Sequence, residues 1–153
     1  MSFSLSAIEP AGDAGRRFDC SIWEWLPLWE FVGERCRDIL DDEDVKFGFS
    51  NDGYVIESSK AVAIGERLQT LIDSDEVGRC ERLRDIARSK LEKVSCTLCH
   101  GKGVVLQIPT PIRCIACSGT GQILPTEGAY VFTEGLVRRF VTFSLLSGGF
   151  EIW

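Results

Sequence analysis

Apolar residues recur at helical spacing in four stretches of the chain. Ser21 and Glu24 fit a capping box ahead of the first stretch, but Pro27 would remove a hydrogen bond from a helix that ran through it. We therefore predict a short capped turn followed by a helix over 27–40 that begins at Pro27. Three further helices are predicted, over 59–72, 74–91 and 133–146.

Strand signals are shorter and lie between the predicted helices. Residues 46–50 and 54–58 flank Asn51-Asp52-Gly53, a turn sequence that predicts a β-hairpin. The stretch 103–114 has the pattern of strand, proline-containing turn and strand, and a short strand is predicted over 129–132. Together these elements predict an α+β fold dominated by helices.

The domain organisation follows from length and local composition. Residues 6–17 are rich in glycine, alanine and proline, so we predict that 1–17 is a flexible N-terminal segment. The remaining chain, 18–153, is long enough for one hydrophobic core. It is predicted to be a single globular domain in which residues 94–123 form an embedded hairpin module.

The pattern CxxCxGxG occurs twice, as CTLCHGKG at 96–103 and CIACSGTG at 114–121. Cys96, Cys99, Cys114 and Cys117 therefore have the spacing of a four-thiolate zinc site. Each Cys-x-x-Cys turn places two thiolates on one side of a knuckle, and the glycines that follow permit the positive φ needed to turn back. Two facing knuckles leave no coordination position for water, so the motif predicts one structural Zn²⁺ rather than a hydrolytic centre.

Reduced core cysteines or disulfides are the alternatives for these four residues, and the glycines that repeat in phase with them argue against both. Residues 1–17 lack the basic start and apolar run of a secretory signal, which favours the cytoplasm, where thiols stay reduced. His100 is predicted to be exposed, because four sulfurs already complete the site. Three isolated cysteines are predicted to be small apolar fillers: Cys20, Cys36 and Cys80.

CTLCHGKG and CIACSGTG resemble the repeats of the cysteine-rich zinc domain of DnaJ-type co-chaperones, over 26 of the 153 residues. That family usually has four repeats and two zinc ions, whereas two repeats suffice for one ion. The resemblance implies zinc on Cys96, Cys99, Cys114 and Cys117, and the use of such hairpins in protein–protein contact. The family's J-domain needs a His-Pro-Asp turn, and here Gly101 follows the single histidine, so co-chaperone activity is not implied.

A second resemblance covers more of the chain. The segments WLPLWEFV, SNDGY and SGGFEIW, together with the paired knuckles, are similar to segments of small bacterial proteins. This resemblance implies a bacterial source and no particular activity.

The net charge limits the classes of partner. A formal charge of −6 repels phosphate backbones, and the basic residues between 79 and 93 are interleaved with Glu81, Asp85 and Glu92. That mixture is typical of a solvated helix face, so nucleic-acid binding is disfavoured. No apolar run approaches the ~20 residues that span a bilayer, so a membrane role is not predicted either.

Two further clusters have both a structural and a functional interpretation. Trp23, Trp25 and Trp29 lie close together, and we favour a place in the core over a partner-binding groove. The acidic run over 41–44 lacks the spaced ligands and the glycine of a calcium loop, so a solvated acidic loop is favoured over a cation site.

Catalysis has little support in the sequence, since no Ser-His-Asp or Cys-His pair and no phosphate-binding loop is evident. We therefore predict a non-enzymatic zinc-binding protein with a structural four-cysteine site that acts as an interaction or adaptor protein. The protein partner and the oligomeric state are left open. Two alternatives remain: a small-ligand or nucleotide-binding protein in conflict between bacterium and phage, and a thiol-redox or chaperone-like zinc protein.

Overall fold

A computed structural model describes residues 2–107 and 109–153 and confirms the α+β class. The helices are α1 (Ile22–Arg35), α2 (Asp42–Phe47), α3 (Ser58–Asp73), α4 (Glu76–Ser89) and α5 (Glu134–Leu146). The strands are β1 (Ser2–Ala7), β2 (Arg17–Ser21), β3 (Tyr54–Ile56), β4 (Val94–Ser95), β5 (Val104–Val105), β6 (Ile112–Arg113), β7 (Gln122–Ile123) and β8 (Phe150–Ile152). Two 3-10 turns lie at Asp13–Gly15 and Thr126–Ala129.

The chain divides into two compact units. The first, called the sheet unit below, consists of Met1–Arg84 and Tyr130–Trp153. The second, the knuckle unit, consists of Asp85–Ala129 and contains the predicted module 94–123. The single domain over 18–153 stays a prediction.

The sheet unit is built on a four-stranded antiparallel sheet with the order β2-β1-β8-β3. Phe3 and Leu5 of β1 point into the core, while the serines that alternate with them lie on the other face. This period-2 alternation makes β1 an inner strand, paired with β2 on one side and β8 on the other. The prediction of a flexible segment over 1–17 is therefore wrong for residues 2–7, because the glycine- and proline-rich stretch follows the strand and does not include it.

Helix α1 begins five residues earlier than predicted and runs through Pro27. The predicted capping box is present, since Glu24 accepts from the backbone N–H of Ser21 at 2.9 Å. Pro27 has no N–H for the carbonyl of Trp23, one turn back, but Val131 donates its N–H to that oxygen at 2.9 Å. A donor from outside the helix thus replaces the missing hydrogen bond, which explains why the helix continues through the proline.

The acidic run forms the start of a helix, contrary to the predicted loop. Asp41 caps α2 by accepting from the N–H groups of Glu43 and Asp44. Asp44 is buried and accepts from Lys60 and from the Tyr54 hydroxyl. The predicted hairpin over 46–58 is also wrong: only its second half is a strand, β3, and β3 pairs with β8.

The other predicted helices are present with small shifts of their ends. Helix α3 starts at Ser58, and α5 is capped by Thr133, whose hydroxyl accepts from the N–H of Leu136 at 3.1 Å. The predicted strand over 129–132 is wrong, because residues 126–129 form a 3-10 turn and the next three residues are irregular. An apolar run of three or four residues does not by itself distinguish a strand from a buried connection.

Trp25 and Trp29 lie at the centre of the sheet unit, as the core interpretation predicts. Their rings stack with centroids 5.2 Å apart, and neither side chain is exposed. Each indole N–H is satisfied by a backbone carbonyl, that of Gly48 for Trp25 and that of Val45 for Trp29. Trp23 differs, since it is 40% exposed and packs edge-on against Tyr130.

Candidate metal centre

The knuckle unit brings the four predicted ligands together. The Sγ atoms of Cys96, Cys99, Cys114 and Cys117 all lie within 4.8 Å of one another, and all four residues are buried. They form a small core of their own, against which Val105 and Ile123 pack. The two motifs therefore form one site.

The distances between the sulfurs distinguish a disulfide from a metal site. Cys96 Sγ and Cys114 Sγ are 3.8 Å apart, and Cys99 Sγ and Cys117 Sγ are 3.7 Å apart. A disulfide would require about 2.05 Å. A tetrahedral ion bound to thiolates at about 2.3 Å would separate neighbouring sulfurs by about 3.8 Å. The four sulfurs therefore fit a single tetrahedral metal ion.

The two halves of the site are related by a pseudo-two-fold repeat with an offset of 18 residues. The N–H of Cys96 donates to the carbonyl of Gly121, and the N–H of Cys114 donates to the carbonyl of Gly103. The two strand pairs are related by the same offset of 18 residues. The β4–β7 pair in one half corresponds to the β6–β5 pair in the other. The predicted hairpin of β5 and β6 is confirmed, and the β4–β7 pair was missed because two-residue strands leave no readable pattern.

Glycines allow the two knuckles to approach each other. Gly103 and Gly121 have φ of 74° and 76°, and an added Cβ on either would overlap a carbonyl oxygen of the opposite knuckle. Their N–H groups donate to Cys99 Sγ and Cys117 Sγ, each at 3.2 Å. The second glycine of each motif therefore serves both close packing and thiolate stabilisation.

These hydrogen bonds affect the thiol acidity. Burial raises the pKa of Cys117, but the Gly121 N–H and the hydrogen bonds with neighbouring cysteines outweigh burial and lower it to about 6. The Cys117 N–H lowers the pKa of Cys114, whereas burial and the neighbouring Cys117 sulfur raise it to about 11. Adjacent thiolates repel each other, and a bound dication would remove this repulsion.

The residues flanking the sulfurs leave the site closed. His100 is exposed, as predicted, and its φ of 50° belongs to the turn after Cys99. Four buried sulfurs occupy all the positions of a tetrahedral ion, so substrate or water has no open coordination position. The arrangement thus fits a structural metal and does not fit a hydrolytic one.

The remaining cysteines have the predicted role as small fillers. Cys20 and Cys36 are buried in the core of the sheet unit, and Cys80 packs against that core. Burial raises the pKa of Cys20 to about 12 and that of Cys36 to about 11. Thiols of this kind stay protonated and unreactive at neutral pH.

An open cleft of about 380 Å³ lies in the sheet unit between β2 and α5. Arg139 stacks on the ring of Phe18 at 5.2 Å and donates to the carbonyl of Asp19 at 2.8 Å. Arg17 pairs with the Asp19 carboxylate, with its Nε 2.8 Å from both oxygens. Sequence reasoning missed this cleft, because its residues come from segments more than 100 positions apart.

Among the described residues, none of the helices is both long enough and apolar enough to cross a bilayer. Comparison of the chain with protein-family models, with curated proteins and with solved structures found no match.

Proposed function

We propose that the protein binds one structural Zn²⁺ through Cys96, Cys99, Cys114 and Cys117, and that the ion holds the knuckle unit in a shape used for contact with a protein partner. The observation that carries the first half is the separation of 3.7 and 3.8 Å between paired sulfurs in a closed, buried site. Four thiolates in tetrahedral geometry select zinc or iron among the common metals. Zinc is favoured because it needs no redox partner to serve a purely structural role.

The metal is tested directly on the purified chain. Elemental analysis is expected to give one zinc per chain, and replacement by Co²⁺ is expected to produce the absorption bands of tetrahedral cobalt thiolate. Chelation should release the ion and expose residues 94–123 to proteolysis. A preparation that folds with no bound metal, or that binds iron in preference, would contradict the proposal.

Exposed aliphatic side chains of the knuckle unit support the second half of the proposal. Ile115 is 86% exposed, Leu106 is 76% exposed and Leu98 is 51% exposed. Each is held next to a zinc knuckle or on the hairpin, where the metal would fix its position. Exposed apolar side chains gathered within one small unit are candidates for contact with a partner. The interaction is tested by in-cell crosslinking, with the Cys96→Ser variant as the metal-free control.

The cleft of the sheet unit supports a second candidate, the binding of a small anionic ligand. Arg139 donates one N–H to the Asp19 carbonyl, which leaves its other N–H groups to bind a carboxylate or phosphate in the cleft. A nucleotide panel is expected to raise the melting temperature of the wild type and of Arg79→Gln, but not of Arg139→Gln. Equal shifts in all three proteins would place the ligand elsewhere.

A further inference from the structure

Residues 94–123 are called the zinc module below. The pseudo-two-fold repeat makes the two ends of this module directly comparable. An offset of 18 residues relates Leu106, next to β5, to Leu124, next to β7. The strand pairs that lead to these leucines have the same register, so the two positions are structurally equivalent. Differences in their surroundings therefore come from the chain beyond the repeat and from side chains that differ between its two halves.

The Leu124 end is covered by the protein itself. A Cβ built on Gly128 would lie 2.8 Å from the Cβ of Leu124 and 3.3 Å from Cδ1 of Leu91, so the backbone at Gly128 packs against both leucines. Arg88 holds this turn by donating to the Gly128 carbonyl at 2.8 Å. The cover therefore consists of one leucine side chain and one closely approaching backbone turn.

The Leu106 end has no such cover among the described residues. The next described strand is β6, which pairs with β5, and the Leu106 side chain is 76% exposed. Leu124, in contrast, is half-buried. The same structural position is thus protected at one end of the module and open at the other.

The residues around the two leucines also differ in chemistry. At the covered end the cross-strand pair on the same face is Ser95 and Gln122, which are polar and uncharged. At the open end the equivalent pair is Arg113 and Val104, and Val104 is 40% exposed. The open end therefore has an aliphatic surface and an exposed cation, whose Nε donates to the Ser118 carbonyl at 2.7 Å.

Charge indicates which partner suits this surface. No aspartate or glutamate occurs from residue 93 to residue 126, where Lys93, Lys102 and Arg113 lie. The charge of the segment stays positive even when a zinc ion with four thiolates is included. Two copies of such a surface would repel each other, whereas an acidic segment would be attracted.

We propose that the Leu106 end of the zinc module, with Val104 and Arg113, is a docking site for an acidic, leucine-bearing segment of another protein, which covers Leu106 as Leu91 and Gly128 cover Leu124. This inference rests on the proposed function, because the metal would hold both ends of the module in the same geometry. It adds the position of the contact and the chemistry of the partner.

The test uses a display library of random 16-residue peptides, selected on the metal-loaded full-length chain. Enriched peptides are expected to contain leucine together with aspartate or glutamate. Leu106→Ser should weaken their binding about tenfold or more, because a buried leucine side chain is lost from the contact. Leu83→Ser, which changes a leucine that is 61% exposed in the sheet unit, should leave binding unchanged.

A second measurement does not depend on a variant. Addition of a selected peptide should shift the ¹³C-methyl signals of Leu106 and Val104 and leave those of Leu124 in place. Failure to enrich peptides, enrichment of basic ones, equal binding to Leu106→Ser, or unmoved Leu106 methyls would each overturn the proposal. So would a wild-type dimer that Leu106→Ser dissociates, since the occupant would then be a second copy. Zinc content is measured on the same samples, so loss of the zinc proposal is recognised separately.

Discussion

Gly103 lies so close to Gly119 that a Cβ on Gly103 would overlap the carbonyl oxygen of Gly119. The repeat places Gly121 against Gly101 in the same way. The two knuckles therefore pack against each other through backbone atoms, in the arrangement that brings the four sulfurs within 4.8 Å of one another.

The first prediction is that Gly103→Ala abolishes metal binding at equal protein concentration. The new methyl group would push the knuckles apart, and its residue would also need a φ of 74°, which a side chain disfavours. Zinc content after gel filtration measures the effect. Gly135→Ala is the control, because a Cβ there would meet only the Thr133 hydroxyl, at an ordinary contact distance of 3.9 Å, and alanine is favourable in the first turn of α5. Full zinc occupancy in Gly103→Ala would show that this close packing is dispensable.

The second prediction concerns the ligands themselves. Cys96→Ser or Cys117→Ser should release the ion and unfold at least residues 94–123, while Cys80→Ser should be mild. Structural zinc contributes ~10–16 kcal/mol of apparent binding free energy in finger peptides, as much as the ~5–15 kcal/mol net stability of a typical domain.

Limited proteolysis reads out this unfolding within the knuckle unit. All four tryptophans belong to the sheet unit, so their fluorescence reports on that unit alone. Cleavage within 94–123 is expected in both ligand variants and not in Cys80→Ser. Tolerance of both ligand substitutions would rule out a structural role for the metal.

The candidate site was predictable from sequence because its information is local. Two cysteines and two glycines in each motif specify the ligands, the turn and the close approach, and the structure places all four sulfurs together. The hydrogen bonds from glycine N–H groups to the sulfurs of Cys99 and Cys117 could also have been inferred, since Gly103 and Gly121 occupy the same place in each motif. The difference between Leu106 and Leu124 could not, because it depends on where Leu91 and Gly128 pack.

The fold was less predictable where distant residues decide local structure. Pro27 suggests a helix start, yet the N–H of Val131 takes over the hydrogen bond that the proline removes. Asp44 belongs to an acidic run, yet Lys60 and Tyr54 make its burial possible. In both cases the compensating group is distant in sequence, so no local pattern could reveal it.

The third prediction is a loss of stability of the sheet unit at alkaline pH. Burial, with the nearby Asp44 carboxylate, raises the pKa of Tyr54 from its ordinary 10.0 to about 12. Hydrogen bonds to Asp44 and Asp41 also raise the pKa of Lys60. Because both folded pKa values are raised, their stabilisation is fully present below about pH 10 and is lost as the pH rises towards 12.

Urea unfolding followed by tryptophan fluorescence measures this loss. The free energy of unfolding should fall between about pH 10 and pH 12 in the wild type and fall less steeply in Tyr54→Phe. Tyr130→Phe removes the chain's other tyrosine hydroxyl, which lies at the surface, and should retain the wild-type slope. If the free energy of unfolding fell equally steeply with pH in all three proteins, the Tyr54 hydroxyl would not be the cause of the loss of stability.

The fourth prediction addresses how α2 packs on α1. Gly48 follows α2, and a Cβ on it would overlap the indole ring of Trp29, which is fully buried and cannot move aside. Gly48 has an ordinary helical φ of −64°, so backbone strain does not contribute. Gly48→Ala should therefore destabilise the sheet unit through overpacking alone, by about 1–3 kcal/mol.

A double-mutant cycle isolates this contact. Trp29→Phe removes part of the ring that faces Gly48, together with the N–H bond to Val45. In that background Gly48→Ala should cost less, with a coupling free energy of about 0.5–3 kcal/mol, because the methyl group finds the space that the indole occupied. An equal cost in both backgrounds would mean that the alanine acts on another neighbour. The requirement for glycine at position 48 therefore comes from a tryptophan 19 positions earlier in the chain, and not from the turn in which the glycine lies.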